Sequence, residues 1–304
     1  MARAIIIDTD PGIDDAVAIL LAAASPELEV LGLVGVAGNL SLAATVDNAR
    51  RLVELAGRPE IAVYAGCPGP LALPSVGAQD AHGAGGLGDL KLPPPSLPPR
   101  PEHGVFYLIE TLRRAGPGSV TLCALGPLTN IATALVMAPE IAAAIAEVVV
   151  MGGGSHGNVT AAAEFNIHSD PEAAQIVFAR GLRITLVPLD VTESVRSTAE
   201  RIAPIRALGM RCAAAVAELL GPRRALGQPP MAMHDPCVIA WLVAPELFGG
   251  ADANVAIESQ GRLTRGMTII DRRSRRGPAN ARVLDRVDAA GLYRLLAERL
   301  ARLP

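Results

Sequence analysis

Short aliphatic runs alternate along the chain with Gly- or Asp-rich turns and Ala/Leu-rich stretches. Residues 4–7, 30–36, 61–64, 120–124, 148–151 and 183–188 read as strands, and residues 14–24, 42–55, 130–137 and 171–179 as helices between them. Strands this uniformly apolar are buried on both faces. The pattern therefore predicts an α/β fold, an open, mostly parallel Rossmann-like sheet with helices on both faces. Two stretches break the alternation. Residues 66–104 carry six prolines between Leu92 and Pro101 and read as a long loop beside the sheet, of the kind that serves as a lid. Residues 252–286 read as a small C-terminal β-section with turns at Gly261 and at residues 272–277, the basic run Arg272, Arg273, Arg275 and Arg276 being a solvated hairpin tip. No fixed-period repeat and no composition break appears, so residues 1–304 are read as one domain.

Composition narrows the function classes. Half of the 304 residues are apolar, enough for a substantial core and too many for low-complexity disorder. With 27 basic against 30 acidic residues and a net charge of −3, the basic patch of a nucleic-acid binder is not expected. Aromatics at 3% argue equally against base-stacking platforms. Cys67, Cys123, Cys212 and Cys237 lie far apart with no CxxC pair, which argues against a zinc site or a disulfide scaffold. Three bulky apolar residues before Asp8 do not make a signal peptide, and Pro139, Glu140 and Glu147 interrupt the longest apolar stretch. The expectation is a soluble, cytoplasmic protein without nucleic-acid or membrane partners.

Chemistry concentrates at the end of the first strand. In Ile5-Ile6-Ile7-Asp8-Thr9-Asp10-Pro11-Gly12-Ile13-Asp14-Asp15, four carboxylates fall within eight residues, with Pro11-Gly12 marking the turn from strand to helix. In open α/β sheets ligands bind at this carboxyl end of the strands. Helix capping accounts for Asp14 and Asp15, one of which can cap, but not for four acids. Carboxylates about 5 Å apart repel by roughly 3 kcal/mol at an effective dielectric near 20. A cation among them removes that cost, and an all-oxygen donor set suits a hard ion such as Ca²⁺ or Mg²⁺.

The segment Asp8-Thr9-Asp10-Pro11-Gly12-Ile13-Asp14-Asp15 resembles the signature of the inosine–uridine-preferring nucleoside hydrolases. Further segments match in order: Val36-Ala37-Gly38-Asn39, Ala81-His82-Gly83, Leu125-Gly126-Pro127-Leu128-Thr129-Asn130 and Met151-Gly152-Gly153-Gly154. Glu164-Phe165-Asn166, Val187-Pro188-Leu189-Asp190-Val191-Thr192, His234-Asp235-Pro236 and Thr264-Arg265-Gly266-Met267 follow, so the resemblance runs from about residue 4 to residue 285. It implies calcium-dependent hydrolysis of the N-glycosidic bond of ribonucleosides to ribose and free base. It further implies Ca²⁺ held by Asp10, Asp15, Asp235 and the main-chain carbonyl of Leu125, where the family usually has Thr. Asp10 is then the general base. Asp14 anchors the ribose hydroxyls with Asn39 and Asn166, and Asn158 and Glu164 take the 5′-hydroxyl. His82 and His234 lie towards the base, and His234 assists its protonation. A homodimer or homotetramer is implied as well. His103, His156 and His168 receive no role.

Departures from the family pattern fall on the nucleobase side. Ala84, Gly85 and Gly86 stand where an acidic or serine residue often follows the His-Gly, and no tyrosine lies between Tyr107 and Tyr293. The only tryptophan, Trp241, lies in the helical run after Asp235 and reads as core, which disfavours a purine-sandwiching site. The expected preference is therefore pyrimidine or broad. Two rivals remain. A haloacid-dehalogenase-like phosphatase also begins with hydrophobic-Asp-x-Asp, but the one lysine, Lys91, sits in the loop, and Asp14-Asp15 goes unexplained. The other is a catalytically silent nucleoside- or ribose-binding protein on the same fold.

Overall fold

A computed structural model describes residues 2–74, 83, 85–221, 230–273 and 277–304. Its strands are β1 (Arg3–Thr9), β2 (Leu28–Gly35), β3 (Val63–Ala65), β4 (Arg100–His103), β5 (Val120–Ala124), β6 (Ile145–Met151), β7 (Ile184–Val187), β8 (Phe248–Ile257), β9 (Thr268–Asp271) and β10 (Ala281–Val287). Among the described residues they form one ten-stranded sheet in the order β4-β3-β2-β1-β5-β6-β7-β10-β8-β9. From β4 to β10 every neighbouring pair is parallel; β8 runs antiparallel to both β10 and β9.

The two-sided burial that the sequence predicts is visible within β1. Ile5 and Ile7 enter one apolar cluster and Ile6 the other, because successive strand side chains point to opposite faces. Each cluster is covered by helices. One face takes the helices Ile13–Ala23 and Pro236–Val243, the other Gly104–Arg114, Thr129–Met137 and Pro171–Phe178. All eleven residues of Ile13–Ala23 are buried, so this helix lies inside the molecule. Trp241 is partly buried against this core, edge-on to Phe248 at 6.0 Å, as its sequence reading anticipates.

Differences from the sequence reading are local. Arg100–His103 forms an edge strand at the end of the proline-rich loop. Pro101 is tolerated there because an edge strand needs donors on one side only. The C-terminal β-section is not a separate layer, since β10 pairs in parallel with β7 and so extends the main sheet. Arg275 and Arg276 of the basic tip lie outside the described residues; Arg272 and Arg273 are exposed. No helix among the described residues is long and apolar enough to cross a membrane.

The strand order fixes where a site forms. The chain steps outward from β1 through β2, β3 and β4, then returns to the other side of β1 with β5. The turns leaving β1 and β5 diverge at this reversal, opening a crevice at their carboxyl ends.

Candidate active site

Helix Ile13–Ala23 begins in that crevice, with Gly12 at its N-cap. The Asp15 carboxylate turns back to accept from Gly12 N at 2.9 Å and from Thr9 Oγ1. The capping role thus falls to Asp15, as the sequence allows for one of the pair. Asp235 occupies the N-cap of Pro236–Val243 with Pro at the first helical position, yet its side chain makes no capping bond. It joins the acidic turn instead. One carboxylate oxygen each from Asp14, Asp15 and Asp235 lie within 4.8 Å of one another, all three residues being buried. Two helix N-termini therefore meet here, and their partial positive ends offset some of the clustered negative charge.

Asp10 lies beside this trio. Its Oδ2 accepts from Asn39 N at 2.7 Å, and Asn39 Nδ2 reaches the Asp10 carbonyl and Asp15 Oδ2. Its Oδ1 is buried with no hydrogen-bond partner. Gly38 and Gly126 form the walls around the carboxylate: a Cβ on Gly38 would come within 2.1 Å of Oδ2, and one on Gly126 within 2.4 Å of Oδ1. Burial, and after it the charge of Asp15, holds the Asp10 carboxyl well above its ordinary value. Asp235 is raised in the same way by burial and by Asp14, Asp15 and Asp10.

These observations test whether a cation fits. A buried carboxylate oxygen without a donor costs free energy unless something positive meets it. Neighbouring carboxyls that resist ionisation have two remedies, protons or a metal. The donors are all oxygen, so the residues suit a hard divalent ion. The tightest grouping is Asp14, Asp15 and Asp235, with Asp10 next to it.

The Leu125 carbonyl follows β5 at the same crevice and accepts from Asn166 Nδ2 at 2.7 Å, which leaves its second lone pair available. Asn166 Nδ2 also lies 3.2 Å from the Met151 carbonyl, so this amide spans the ends of β5 and β6. Glu164 caps the short helix Phe165–Ser169. Its carboxylate accepts from Asn166 N, Gly153 N and Ile167 N, and burial still pushes its pKa up to about 7. Asn158 is exposed, and its Oδ1 accepts from Phe165 N at 2.9 Å, bracing the loop that carries Glu164. His234 is half-buried with Nδ1 2.7 Å from Thr192 Oγ1.

The structure thus brings together Asp10, Asp14, Asp15, Asn39 and Asp235, and links Leu125 to Asn166 and Glu164. Asn158 stands at the exposed rim, and His82 lies outside the described residues. Sequence reasoning gave no role to Thr192, Gly38 or Gly126, although each sits in a segment it singled out. Their signal was spatial: a hydroxyl against a histidine, and a bare Cα where a carboxylate must lie close.

Comparison with known proteins points to one family. The family model for inosine-uridine preferring nucleoside hydrolase matches residues 5–294. The pyrimidine-specific ribonucleoside hydrolase RihA of Photobacterium profundum is 44% identical over 311 residues, covering 99% of each chain. Among solved structures, a plant nucleoside hydrolase superposes with a TM-score of 0.90 at 33% identity, covering 99% of each chain. A purine-preferring ribonucleoside hydrolase from Gardnerella vaginalis does so with a TM-score of 0.90 at 32% identity over 98% of each. With the model spanning nearly the whole chain and the acidic crevice at the sheet's point of reversal, this chain belongs to the inosine–uridine preferring nucleoside hydrolase family and is an enzyme of that family.

Proposed function

We propose that this enzyme hydrolyses the N-glycosidic bond of pyrimidine ribonucleosides in preference to purine ones, with Ca²⁺ in the acidic crevice. The buried carboxylate cluster with its unpartnered Asp10 oxygen carries the chemical half of this reading. The base preference is supported by the 44%-identical relative named pyrimidine-specific, against 32% for the neighbour named purine-preferring. The lack of a tryptophan pair to sandwich a purine agrees with it.

Asp10, Asp15, Asp235 and the Leu125 carbonyl would hold the ion. Bound there, Ca²⁺ would supply a concentrated positive charge that lowers the pKa of hydroxyl and water oxygens. Asp10 accepts the proton of the attacking water. Its placement by Asn39 and by the two glycine walls keeps one oxygen aimed into the crevice. Asp14, Asn39 and Asn166 fix the 2′- and 3′-hydroxyls, while Glu164 and Asn158 receive the 5′-hydroxyl. As the C1′–N bond breaks, positive charge develops on the sugar, and the surrounding carboxylates stabilise it. The departing base keeps the bond's electron pair and takes a proton from His234, whose ring is oriented by Thr192. His82 is the second base-side residue. The same reading gives a cytoplasmic enzyme, one domain per chain, assembled as a dimer or tetramer.

The test is a nucleoside panel, uridine, cytidine, inosine and 2′-deoxyuridine, assayed for reducing sugar with calcium and after chelation. Uridine should exceed inosine in kcat/KM, 2′-deoxyuridine should be poor, and chelation should abolish turnover. Strong inosine preference, or equal use of the deoxy sugar, ends the proposal.

A further inference from the structure

Asn130 takes no part in the mechanism above, yet it is fully buried and spans the base of the acidic crevice. It stands at the start of helix Thr129–Met137. Its Nδ2 donates to Asp8 Oδ2 at 2.9 Å and to the Gly35 carbonyl at 3.1 Å. Its Oδ1 accepts from Cys67 N at 2.7 Å. One side chain thus joins the carboxyl ends of β1 and β2, the turn leaving β3 and the helix that follows β5.

Three of those segments carry reacting groups: the ends of β1 and β2 and the stretch after β5. Asp10 is two residues beyond Asp8. The Asp8 carbonyl accepts from Leu125 N at 2.8 Å, which ties the proposed carbonyl ligand to the same strand end. Val36 N donates to the Thr9 carbonyl and Ala37 N to the Cys67 carbonyl, so the path from Gly35 to Asn39 is strung between the two turns that Asn130 fastens. Gly66 is cut back to admit the amide: a Cβ there would lie 2.3 Å from Asn130 Oδ1. A core polar residue serving stability alone needs its hydrogen bonds satisfied, but no such convergence on three separate active-site segments.

We propose that Asn130 is a positioning residue, whose amide sets the separation of Asp10, Asn39 and the Leu125 carbonyl and thereby the metal affinity and turnover of the site. The inference rests on the functional reading above. A misplacement of about 1 Å in a hydrolytic site costs about 100-fold in rate, whereas a folded protein tolerates it. Binding contacts to the ribose that survive the shift leave KM less affected than kcat.

The experiment compares Asn130→Ser, Gly66→Ala and Asp8→Asn with the unaltered enzyme, using kcat and KM on uridine, calcium affinity by calorimetry and folded fraction by near-ultraviolet circular dichroism. Gly66→Ala presses on the amide and, 2.6 Å from its Cβ, on the Gly35 carbonyl that the amide holds; Asp8→Asn keeps an acceptor for it. Thr185→Val, which removes the buried Thr185–Glu147 bond away from the crevice, serves as a destabilised control. Asn130→Ser and Gly66→Ala should each lower kcat about 100-fold and weaken calcium binding at least 10-fold per folded molecule, with KM within a few-fold. Asp8→Asn and Thr185→Val should stay within a few-fold throughout. Normal kcat and calcium affinity in the folded Asn130→Ser or Gly66→Ala protein overturns the proposal, as do equal losses in Thr185→Val. Should neither of the first two fold, Asn130→Asp takes their place: it keeps the acceptor for Cys67 N but loses both donations, so the same falls in kcat and calcium affinity per folded molecule uphold the proposal and normal values overturn it. An unaltered enzyme that binds calcium but hydrolyses no ribonucleoside refutes the functional reading instead, and the calcium arm still decides the role of Asn130.

Discussion

Asp10 shows how much one carboxylate depends on what surrounds it. Asn39 fixes one oxygen, the other is left without a donor, and glycines stand where any side chain would press on it. Asp10→Ala should lower kcat on uridine by at least about 1,000-fold and weaken calcium binding, measured by steady-state kinetics and calorimetry. Gly126→Ala is the sharper probe, because it alters no polar group. A Cβ 2.4 Å from Asp10 Oδ1 must displace the carboxylate or the turn, so kcat should fall at least about 10-fold while the protein remains folded. Unchanged turnover would show that the wall has room to move. The acids themselves were legible in the sequence, because four carboxylates in eight residues exceed what capping explains. Their partition was not. That Asp15 caps while Asp235 does not depends on how two helix starts meet, and no spacing rule carries that information.

At the scale of elements, aliphatic runs and Gly/Asp turns were enough to find β1, β2, β5, β6 and β7 with their helices, since buried parallel strands carry an unbroken apolar signal. β4 was hidden by Pro101, by the prolines before it and by side chains that are all exposed. The pairing of β10 with β7 was hidden because register is a long-range property. The hairpin following β8 shows what such pairing does for the site. Met267 bridges to Ala163, next to Glu164, and Arg265 holds Glu172 through two contacts of 2.7 Å. The pair is part-exposed, so Arg265→Ala should cost no more than about 1 kcal/mol. Gly266→Ala should cost more, about 2–4 kcal/mol, because Gly266 has φ +83° and its Cβ would lie 2.8 Å from His168 Cα. Denaturant titration of both variants checks the order, and a reversed order would mean that the ion pair, not the turn, secures the loop.

Several buried carboxyls gather around the crevice, and this gives the metal-free protein a pH dependence. Burial raises Asp8 to about 8 and Glu164 to about 7, with Asp10 and Asp235 also raised. The folded state then keeps protons that the unfolded chain releases above about pH 4. Stability contributed by Asp8 and Glu164 is therefore complete at low pH and is lost progressively as pH rises through about 7 and 8. Chelated protein should melt several degrees lower at pH 8 than at pH 6, and calcium should narrow that gap. A chelated protein that melts higher at pH 8 would contradict the raised values. The meeting of two helix starts at the acidic turn has a further consequence, in time rather than in space. Asp10 and Asp235 lie far apart in the chain and meet only when helix Pro236–Val243 has docked against helix Ile13–Ala23. Such distant contacts form late in folding, so the ion finds no partial site to nucleate upon. In stopped-flow measurements calcium should slow unfolding and leave the refolding rate nearly unchanged, acting as a latch closed after assembly.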